Sequence, residues 1–272
     1  MMPVLPLIFG SIVGLSLGLT GGGGAIFAVP LLVYGLAIDP RQAVGISLAA
    51  VGMTSAIGFL GRCKAGEVEL ATGLMFAVAG MIGAPLGSWL STLIPESLLL
   101  MLFAVLMLVV AVRMWRKTVL TSAEMICAAD EADGPTCRRD AAGKLEFNSP
   151  CAMVLAVVGV LTGVLSGLFG VGGGFVIVPA LVLFSGMAIH RAVGTSLLVI
   201  TLVSASGVAS HLLAGHEIPL DTTLYFVVGG VLGMFAGIWG SHYLSGPALQ
   251  KIFAVAIVAV ATFVIFRTTF YF

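Results

Sequence analysis

Charged residues are scarce in this sequence. Of 272 residues only 9% are Asp, Glu, Lys or Arg and 60% are hydrophobic, whereas an ordinary soluble domain has about 25% charged residues. Half of the charges, six basic and six acidic, lie between Arg113 and Glu146. Outside that stretch, several apolar runs reach the roughly 20 residues that span a bilayer core. The chain is therefore predicted to be an all-α polytopic membrane protein.

Other absences narrow the classes of function. Basic and acidic residues balance to a net charge of zero, which argues against a nucleic-acid partner because such proteins present a basic surface. The cysteines show no metal-site spacing and no CxxC pair, so neither a metal nor a cofactor is predicted, and their thiols are expected to be reduced in the cytoplasm. No basic leader precedes the first apolar segment, so no cleavable signal peptide is expected. The four cysteines are Cys63, Cys127, Cys137 and Cys151.

An intramembrane enzyme is also disfavoured. A rhomboid-type protease requires GxSG, but Val164 and Ser204 stand where the first glycine of the two nearest matches belongs. The chain contains no HExxH motif and no close pair of membrane aspartates. The sequence therefore predicts a protein that is not an enzyme.

What the sequence does contain is an internal duplication. Residues 14–47 align with residues 163–196 without a gap, at an offset of 149 positions. Over the 18 positions from Arg41 to Gly58, the second copy is identical at eight. The predicted organisation is a first membrane repeat over 1–113, a cytoplasmic hydrophilic linker over 114–150 and a second membrane repeat over 151–272.

Each repeat is predicted to form a glycine-broken helix pair followed by three transmembrane helices. Pro30 and Pro179 lie in the second segment of each repeat, where proline kinks or ends a helix. The predicted segments lie at about 3–20, 25–37, 42–61, 70–93 and 97–112 in the first repeat, and at about 152–169, 174–187, 192–213, 222–243 and 247–266 in the second.

Basic residues predict the orientation. Arg113, Arg116 and Lys117 place the linker in the cytoplasm under the positive-inside rule. If each broken pair returns to the side it entered from, the repeats are inverted and ten basic residues lie inside against two outside; a single crossing gives parallel repeats and nine against three. The loop after Arg62 is basic, whereas the equivalent loop after His211 has no Lys or Arg. Equivalent loops that differ in this way favour inverted repeats.

The glycine runs interrupt helices at membrane depth, where irregular backbone is tolerated only inside protein or beside a water-filled cavity. A helix that restarts after each run presents unpaired N–H groups and about half a positive charge. Two such ends, paired across a pseudo-twofold axis, predict an anion site near the midplane, with tight helix packing as the alternative. The predicted substrate-binding residues are Gly21, Gly22, Gly23, Gly24, Ser47, Gly170, Gly172, Gly173, Gly174, Thr195 and Ser196.

A second set of residues is predicted to act in gating or proton coupling: Arg41, His190, Arg191 and His211. Arg41 and His190 align beside the loop that follows the broken helix, where a positive charge would attract an anion. His211 belongs to a local group of titratable residues with His216, and histidine exchanges protons near neutral pH. Solvation of exposed loops is the alternative explanation for all of them.

The duplicated motif resembles a known family. The segment GLFGVGGGFVIVPALV, followed by HRAVGTS and SHLLAGH, is similar to the TauE/SafE family of sulfite exporter-like anion permeases. The resemblance covers nearly the whole chain outside 113–150, and it implies an inner-membrane carrier for sulfite, an organosulfonate, a related sulfur oxyanion or a small organic acid. The first repeat departs from the pattern, with Thr20 opposite Phe169 and Ile46 opposite Thr195. The two sides of a shared site would therefore be chemically unequal.

The function predicted is secondary transport of a small anion by alternating access, with a passive anion channel as the alternative, since broken helices also form selectivity filters. The expected partners are the anionic substrate, bilayer lipid and a coupling proton. A homodimer is left open.

The inversion can be tested at two equivalent alanines in the loops after Arg62 and His211. We expect Ala65→Cys and Ala214→Cys to be labelled from opposite sides, because inverted repeats place equivalent loops across the membrane. The measurement is reaction with an impermeant thiol reagent in intact cells, and labelling of both positions from the same side contradicts the inversion.

Overall fold

The computed structural model describes residues 4–124, 149–185, 187, 189–216, 218–240, 255 and 257–266. The described residues contain helices and no strand, as predicted, and five of the helices are long and apolar enough to cross a membrane. The helices are α1 (Val4–Thr20), α2 (Gly23–Gly35), α3 (Pro40–Lys64), α4 (Leu70–Leu93), α5 (Glu96–Glu124), α6 (Ser149–Phe169), α7 (Gly174–Ser185), α8 (Ile189–Leu213), α9 (Leu220–Gly240) and α10 (Ile257–Phe266).

Two details differ from the sequence-based expectations. Helix α5 continues to Glu124, past the predicted end of its segment at about 112. Cys151 is disulfide-bonded, so the expectation of a reduced thiol is wrong there; it lies in the first turn of α6, close in sequence to the cysteine-bearing linker. Cys63 is free and exposed. Residues 125–148 of the linker, with Cys127 and Cys137, lie outside the described residues, as do Lys251 and Arg267.

The second helices of the two repeats differ in regularity. In α2, a 3-10 turn over Gly23–Phe27 leads into Ala28–Pro30, and a π-type turn follows over Leu31–Gly35. Pro30 has no N–H for the regular helical ladder, which explains a change of helix type at this point. Helix α7 is α-helical throughout Gly174–Ser185, although it contains a proline at the equivalent position.

The first helix of each repeat packs against the fourth helix of the other repeat. A Cβ on Gly14 of α1 would lie 1.8 Å from the carbonyl oxygen of Gly230 on α9, and a Cβ on Gly163 of α6 would lie 2.1 Å from that of Gly80 on α4. Backbones this close leave room only for glycine. The contacts advance along both helices together, since Gly229, Gly233 and Gly237 face Leu7, Ser11 and Leu15. Helices α1 and α9 therefore run parallel.

The equivalent helices α3 and α8 run antiparallel to each other. Gly52 faces Ser204, whereas Gly58, further along α3, faces Leu197, which comes earlier on α8. Gly58 also faces Met234 of α9, and Thr54, one turn earlier, faces Gly230. Helix α3 is therefore parallel to α9, and so to α1, which requires α2 to carry the chain back towards the end where α1 began.

The close helix pairs predict which glycines tolerate a methyl group. Gly163→Ala should destabilise the protein by about 1–3 kcal/mol, because the new Cβ would overlap the backbone of α4. Gly61→Ala is the matched control, since no atom lies within 4 Å of its Cβ position on α3; it should be neutral, or stabilising by up to about 1 kcal/mol. The midpoint of thermal unfolding in detergent measures both, and equal stability of the two variants would show that the contact is unimportant.

Candidate functional site

The backbone leaves helical geometry at both glycine runs. Gly21 follows α1 with a φ of 74°, and Gly170 follows α6 with a φ of 69°, in the left-handed region that glycine occupies readily. The N–H of each glycine still makes the last hydrogen bond of the preceding helix. Gly21 donates to the Leu17 carbonyl at 2.7 Å, and Gly170 donates to the Ser166 carbonyl at 2.8 Å. The breaks predicted near 20–25 and 169–175 are therefore present and begin with the same geometry.

Each break is held by the third helix of the other repeat. The Ser47 hydroxyl donates to the Gly170 carbonyl at 2.6 Å, and the Ser196 hydroxyl donates to the Gly21 carbonyl at 2.6 Å. The Ser196 oxygen also lies 2.7 Å from the Val193 carbonyl of its own helix, which shares the same proton. Both serines are fully buried. Since Ser47 aligns with Ser196 and Gly21 with Gly170, one hydrogen bond is the repeat of the other.

Two valines that were not among the predicted site residues complete this contact. A Cβ on Gly21 would lie 2.3 Å from Cγ1 of Val193, and a Cβ on Gly170 would lie 2.7 Å from Cα of Val44. Val44 and Val193 occupy the same position in the duplicated Ala-Val-Gly segments at 43–45 and 192–194. The duplication of this segment was the sequence signal that could have predicted a role for the two valines.

The two breaks also contact each other near the middle of the bundle. A Cβ on Gly174 would lie 2.6 Å from Cα of Gly22. Gly172 faces Val51 and Ile200, which are equivalent residues near the centres of α3 and α8. Helix α7 begins at this contact, and the first N–H groups of a helix have no acceptor within it. The structure thus brings the predicted glycines of both repeats together.

The breaks differ in chemistry, as the sequence indicated. In the second break Gly172 and Gly173 have φ values of 66° and 68° and lead directly into α7. In the first break the Thr20 hydroxyl accepts the N–H of Gly23 at 3.0 Å and donates to the Ser16 carbonyl at 2.8 Å. Thr20 therefore supports the 3-10 turn that has no equivalent in the second repeat.

Thr195 does not lie against a glycine break. Its hydroxyl oxygen accepts the N–H of Glu69 at 3.0 Å and lies 3.6 Å from Sδ of Met187. Glu69 immediately precedes α4, so the fully buried Thr195 side chain caps the backbone at the start of that helix. Its role as a substrate ligand stays a prediction.

Protein surrounds both breaks in this conformation. Gly21, Gly22, Gly24 and the glycines of the second break are buried. A narrow, mostly apolar cleft between α1, α3 and α9 is lined by residues such as Val13 and Val51, and Val51 also faces Gly172. The Ser47 and Ser196 hydroxyls are already hydrogen-bonded.

The residues predicted for gating are divided between the two ends of the bundle. At one end His211 packs against Gly45, whose Cβ would lie 2.7 Å from the imidazole Nε2, and Arg41 lies one turn earlier on α3. At the other end a Cβ on Gly194 would lie 2.6 Å from the carbonyl oxygen of Glu67, close in sequence to the exposed His190 and Arg191. The structure therefore does not bring these four residues together, and none of them lies at a break.

The sulfite exporter TauE/SafE family model matches residues 6–264. The chain belongs to this family. It is similar to the "Probable membrane transporter protein" of Xylella fastidiosa strain Temecula1, with 34% identity over 268 residues that cover 95% of this chain and 93% of the relative. It is also similar to the "Probable membrane transporter protein YunE" of Bacillus subtilis, with 29% identity over 220 residues that cover 78% and 79%. No solved structure matches the chain.

This TauE/SafE protein is a membrane transporter and not an enzyme. The family and the names of its relatives indicate a multi-pass transporter, and the five long apolar helices agree with them. The bacterial relatives point to the inner (plasma) membrane. The family resemblance drawn from the duplicated glycine motif is therefore confirmed.

The exchanged serine contacts predict a stability effect. Ser47→Ala and Ser196→Ala should each destabilise the TauE/SafE protein by about 1–3 kcal/mol, because each leaves a buried glycine carbonyl of the opposite repeat without a donor. Ser210→Ala is the control, since that hydroxyl donates to a carbonyl of its own helix at 3.0 Å, and its effect should stay within about 0.5 kcal/mol. Thermal unfolding in detergent measures all three, and indistinguishable midpoints would contradict the assigned contacts.

Proposed function

We propose that this TauE/SafE protein is a secondary transporter that carries a small anion across the inner membrane by alternating access. The substrate class is sulfite, an organosulfonate, a related sulfur oxyanion or a small organic acid. The observation that supports it most directly is the contact of the two glycine breaks, through Gly22 and Gly174, beside the centres of α3 and α8. A helix start at this depth offers N–H donors and a positive dipole end to an anion.

The proposed ligands are backbone N–H groups of Gly22 and Gly24 in the first break and of Gly172, Gly173 and Gly174 in the second. The N–H of Gly23 donates to the Thr20 hydroxyl in this structure and would have to leave it to join them. Ser47 and Ser196 join them once their hydroxyls leave the glycine carbonyls that they contact now. In this conformation those hydrogen bonds close the site. A bound oxyanion would replace the glycine carbonyl as the acceptor of each serine hydroxyl, so each buried hydroxyl would keep a hydrogen-bond partner.

We propose that the two repeats are inverted. The antiparallel course of α3 and α8 supports this arrangement, because a twofold axis between two antiparallel membrane spans lies in the membrane plane. The shared direction of α1 and α3 supports the return of the chain through α2. With the linker in the cytoplasm, the α3–α4 loop then faces the cytoplasm and the α8–α9 loop faces the periplasm.

The enclosure of both breaks favours a carrier over a passive anion channel. Gly21, Gly22, Gly24 and the glycines of the second break are buried, as the occluded state of an alternating-access carrier requires. Movement of the repeats about α3 and α8 would expose the glycines to one side at a time. A proton is the proposed coupling ion, and association into a homodimer remains compatible with this arrangement.

The test uses two glycines with the same backbone strain in different places. Gly173 and Gly66 have φ values of 68° and 71°, but a Cβ on Gly173 would lie 3.0 Å from Thr162, whereas nothing lies within 4 Å of that on Gly66. Alanine in a left-handed conformation costs about 1–2 kcal/mol at either position. We expect Gly173→Ala to lose most of its anion uptake and Gly66→Ala to retain it, because only Gly173 lies at the break.

Uptake is measured in proteoliposomes with a panel of sulfite, thiosulfate, sulfoacetate, taurine and lactate, with and without an imposed proton gradient. Accumulation of one of these anions above its external concentration identifies a carrier, and flux that only dissipates a gradient identifies a channel. Equal uptake by the two alanine variants, at equal protein yield, would place the anion site elsewhere.

A further inference from the structure

The turns that follow α3 and α8 have the same backbone structure. In each, a glycine in the left-handed conformation ends the helix, with φ values of 71° at Gly66 and 80° at Gly215. The same two hydrogen bonds close both turns, which are Schellman motifs. These bonds are Gly66 N–H to Cys63 O at 3.1 Å and Glu67 N–H to Arg62 O at 3.2 Å in the first turn, and Gly215 N–H to Leu212 O at 3.0 Å and His216 N–H to His211 O at 3.3 Å in the second.

This motif brings two side chains together across each turn, and the two pairs differ chemically. In the first turn Arg62 and Glu67 form an ion pair with an N–O distance of 2.9 Å. In the second turn the rings of His211 and His216, at the equivalent positions, are stacked with centroids 4.6 Å apart and planes inclined by 25°. The first pair joins two opposite charges. The second is attractive only while at least one imidazole is neutral.

We propose that the stacked imidazoles of His211 and His216 form a pH-sensitive latch on the α8–α9 turn. This latch lies at the opposite end of the bundle from the Arg62–Glu67 ion pair. As neutral rings the two imidazoles hold the turn against α3. Protonation of both places two positive charges at stacking distance and releases the turn. The inference rests on the proposed transport function for its biological use, but not for its physical basis.

The surroundings of the pair favour this behaviour. His211 is only 4% exposed, and among the described residues neither its Nε2 nor the Nδ1 of His216 has a hydrogen-bond partner. No salt bridge joins either ring to a described carboxylate. A charge gained here therefore meets a second imidazolium and a desolvated site, with no acceptor to compensate it.

Three other charged residues are described at this end of α3 and α9. Asp39 and Arg41 stand at the start of α3, where the Asp39 carboxylate accepts the N–H of Arg41 at 2.9 Å. Asp221 is exposed in the first turn of α9. Glu217 lies outside the described residues.

The latch is connected to a glycine break through α3. His211 packs against Gly45, two residues before Ser47, and Ser47 donates to the carbonyl of Gly170 in the second break. Release of His211 would loosen the part of α3 that closes this break. At the other end Glu67 packs against Gly194 and Ser196 closes the first break, but there the Arg62–Glu67 pair stays intact. Acid on the proposed periplasmic side would thus open one break and leave the other closed.

The experiment compares amide hydrogen exchange in the two turns of the purified transporter between about pH 7.5 and about pH 4, because a second charge at this desolvated site forms only well below the ordinary histidine pKa of about 6.5. Exchange rates are corrected for the intrinsic effect of pH. The amides around His216 should lose protection severalfold on acidification, and those around Glu67 should not change. Unchanged protection around His216 would overturn the latch.

A paired swap supplies the matched control. His211→Arg with His216→Glu installs the pair of the first turn in the same backbone motif, and it should abolish the pH response of the second turn. Arg62→His with Glu67→His should transfer the response to the first turn. A response that persists after the first swap would also overturn the proposal.

Anion uptake at the same two pH values separates this inference from the proposed function. Faster uptake at the lower external pH by the wild type, and a flat profile for His211→Arg with His216→Glu, is the expected result. If no anion in the panel is transported at any pH while exchange still responds, the proposed function fails and the latch stands.

Discussion

A hydrogen bond from a buried serine to a glycine carbonyl, made once in each direction, makes the interrupted helices of this transporter tolerable. A helix that stops at membrane depth leaves polar backbone groups without partners, and lipid supplies none. Ser47 and Ser196 each donate a hydrogen bond to one glycine carbonyl in the opposite repeat. Val44 and Val193 fill the space beside these glycines. Because each repeat supplies the partner that the other lacks, the two repeats stabilise each other's breaks.

Much of this arrangement follows from the duplication. The offset of 149 residues predicted equivalent helices, and both breaks occur at the predicted glycines because only residues without a side chain allow the left-handed backbone and close contact found there. The exchange of partners did not follow, since a duplicated Ala-Val-Gly-x-Ser segment fits a break in either repeat equally well. Thr195 shows a second limit. Neighbouring residues on a helix point about 100° apart, so Ser196 faces the break while Thr195 faces the start of α4.

The symmetric framework carries unequal chemistry at matching places. Thr20 supports a 3-10 turn where the second repeat uses left-handed glycines, and an ion pair stands where the second repeat has two imidazoles. Such differences preserve the backbone geometry on which the exchanged contacts depend. The two ends of the bundle therefore present different side chains on the same backbone framework.

The pairing of α1 with α9 has a consequence for synthesis in the cell. Ribosomes deliver α1 to the membrane some two hundred residues before α9, and its row of Gly10, Gly14 and Gly18 has no backbone to meet until then. The same delay is far shorter for α6, whose partner α4 is already in place. Close packing of α1 against α9 must therefore wait for nearly the whole polypeptide, so a chain truncated before α9 would leave the glycine face of its earliest helix without its partner in the bilayer.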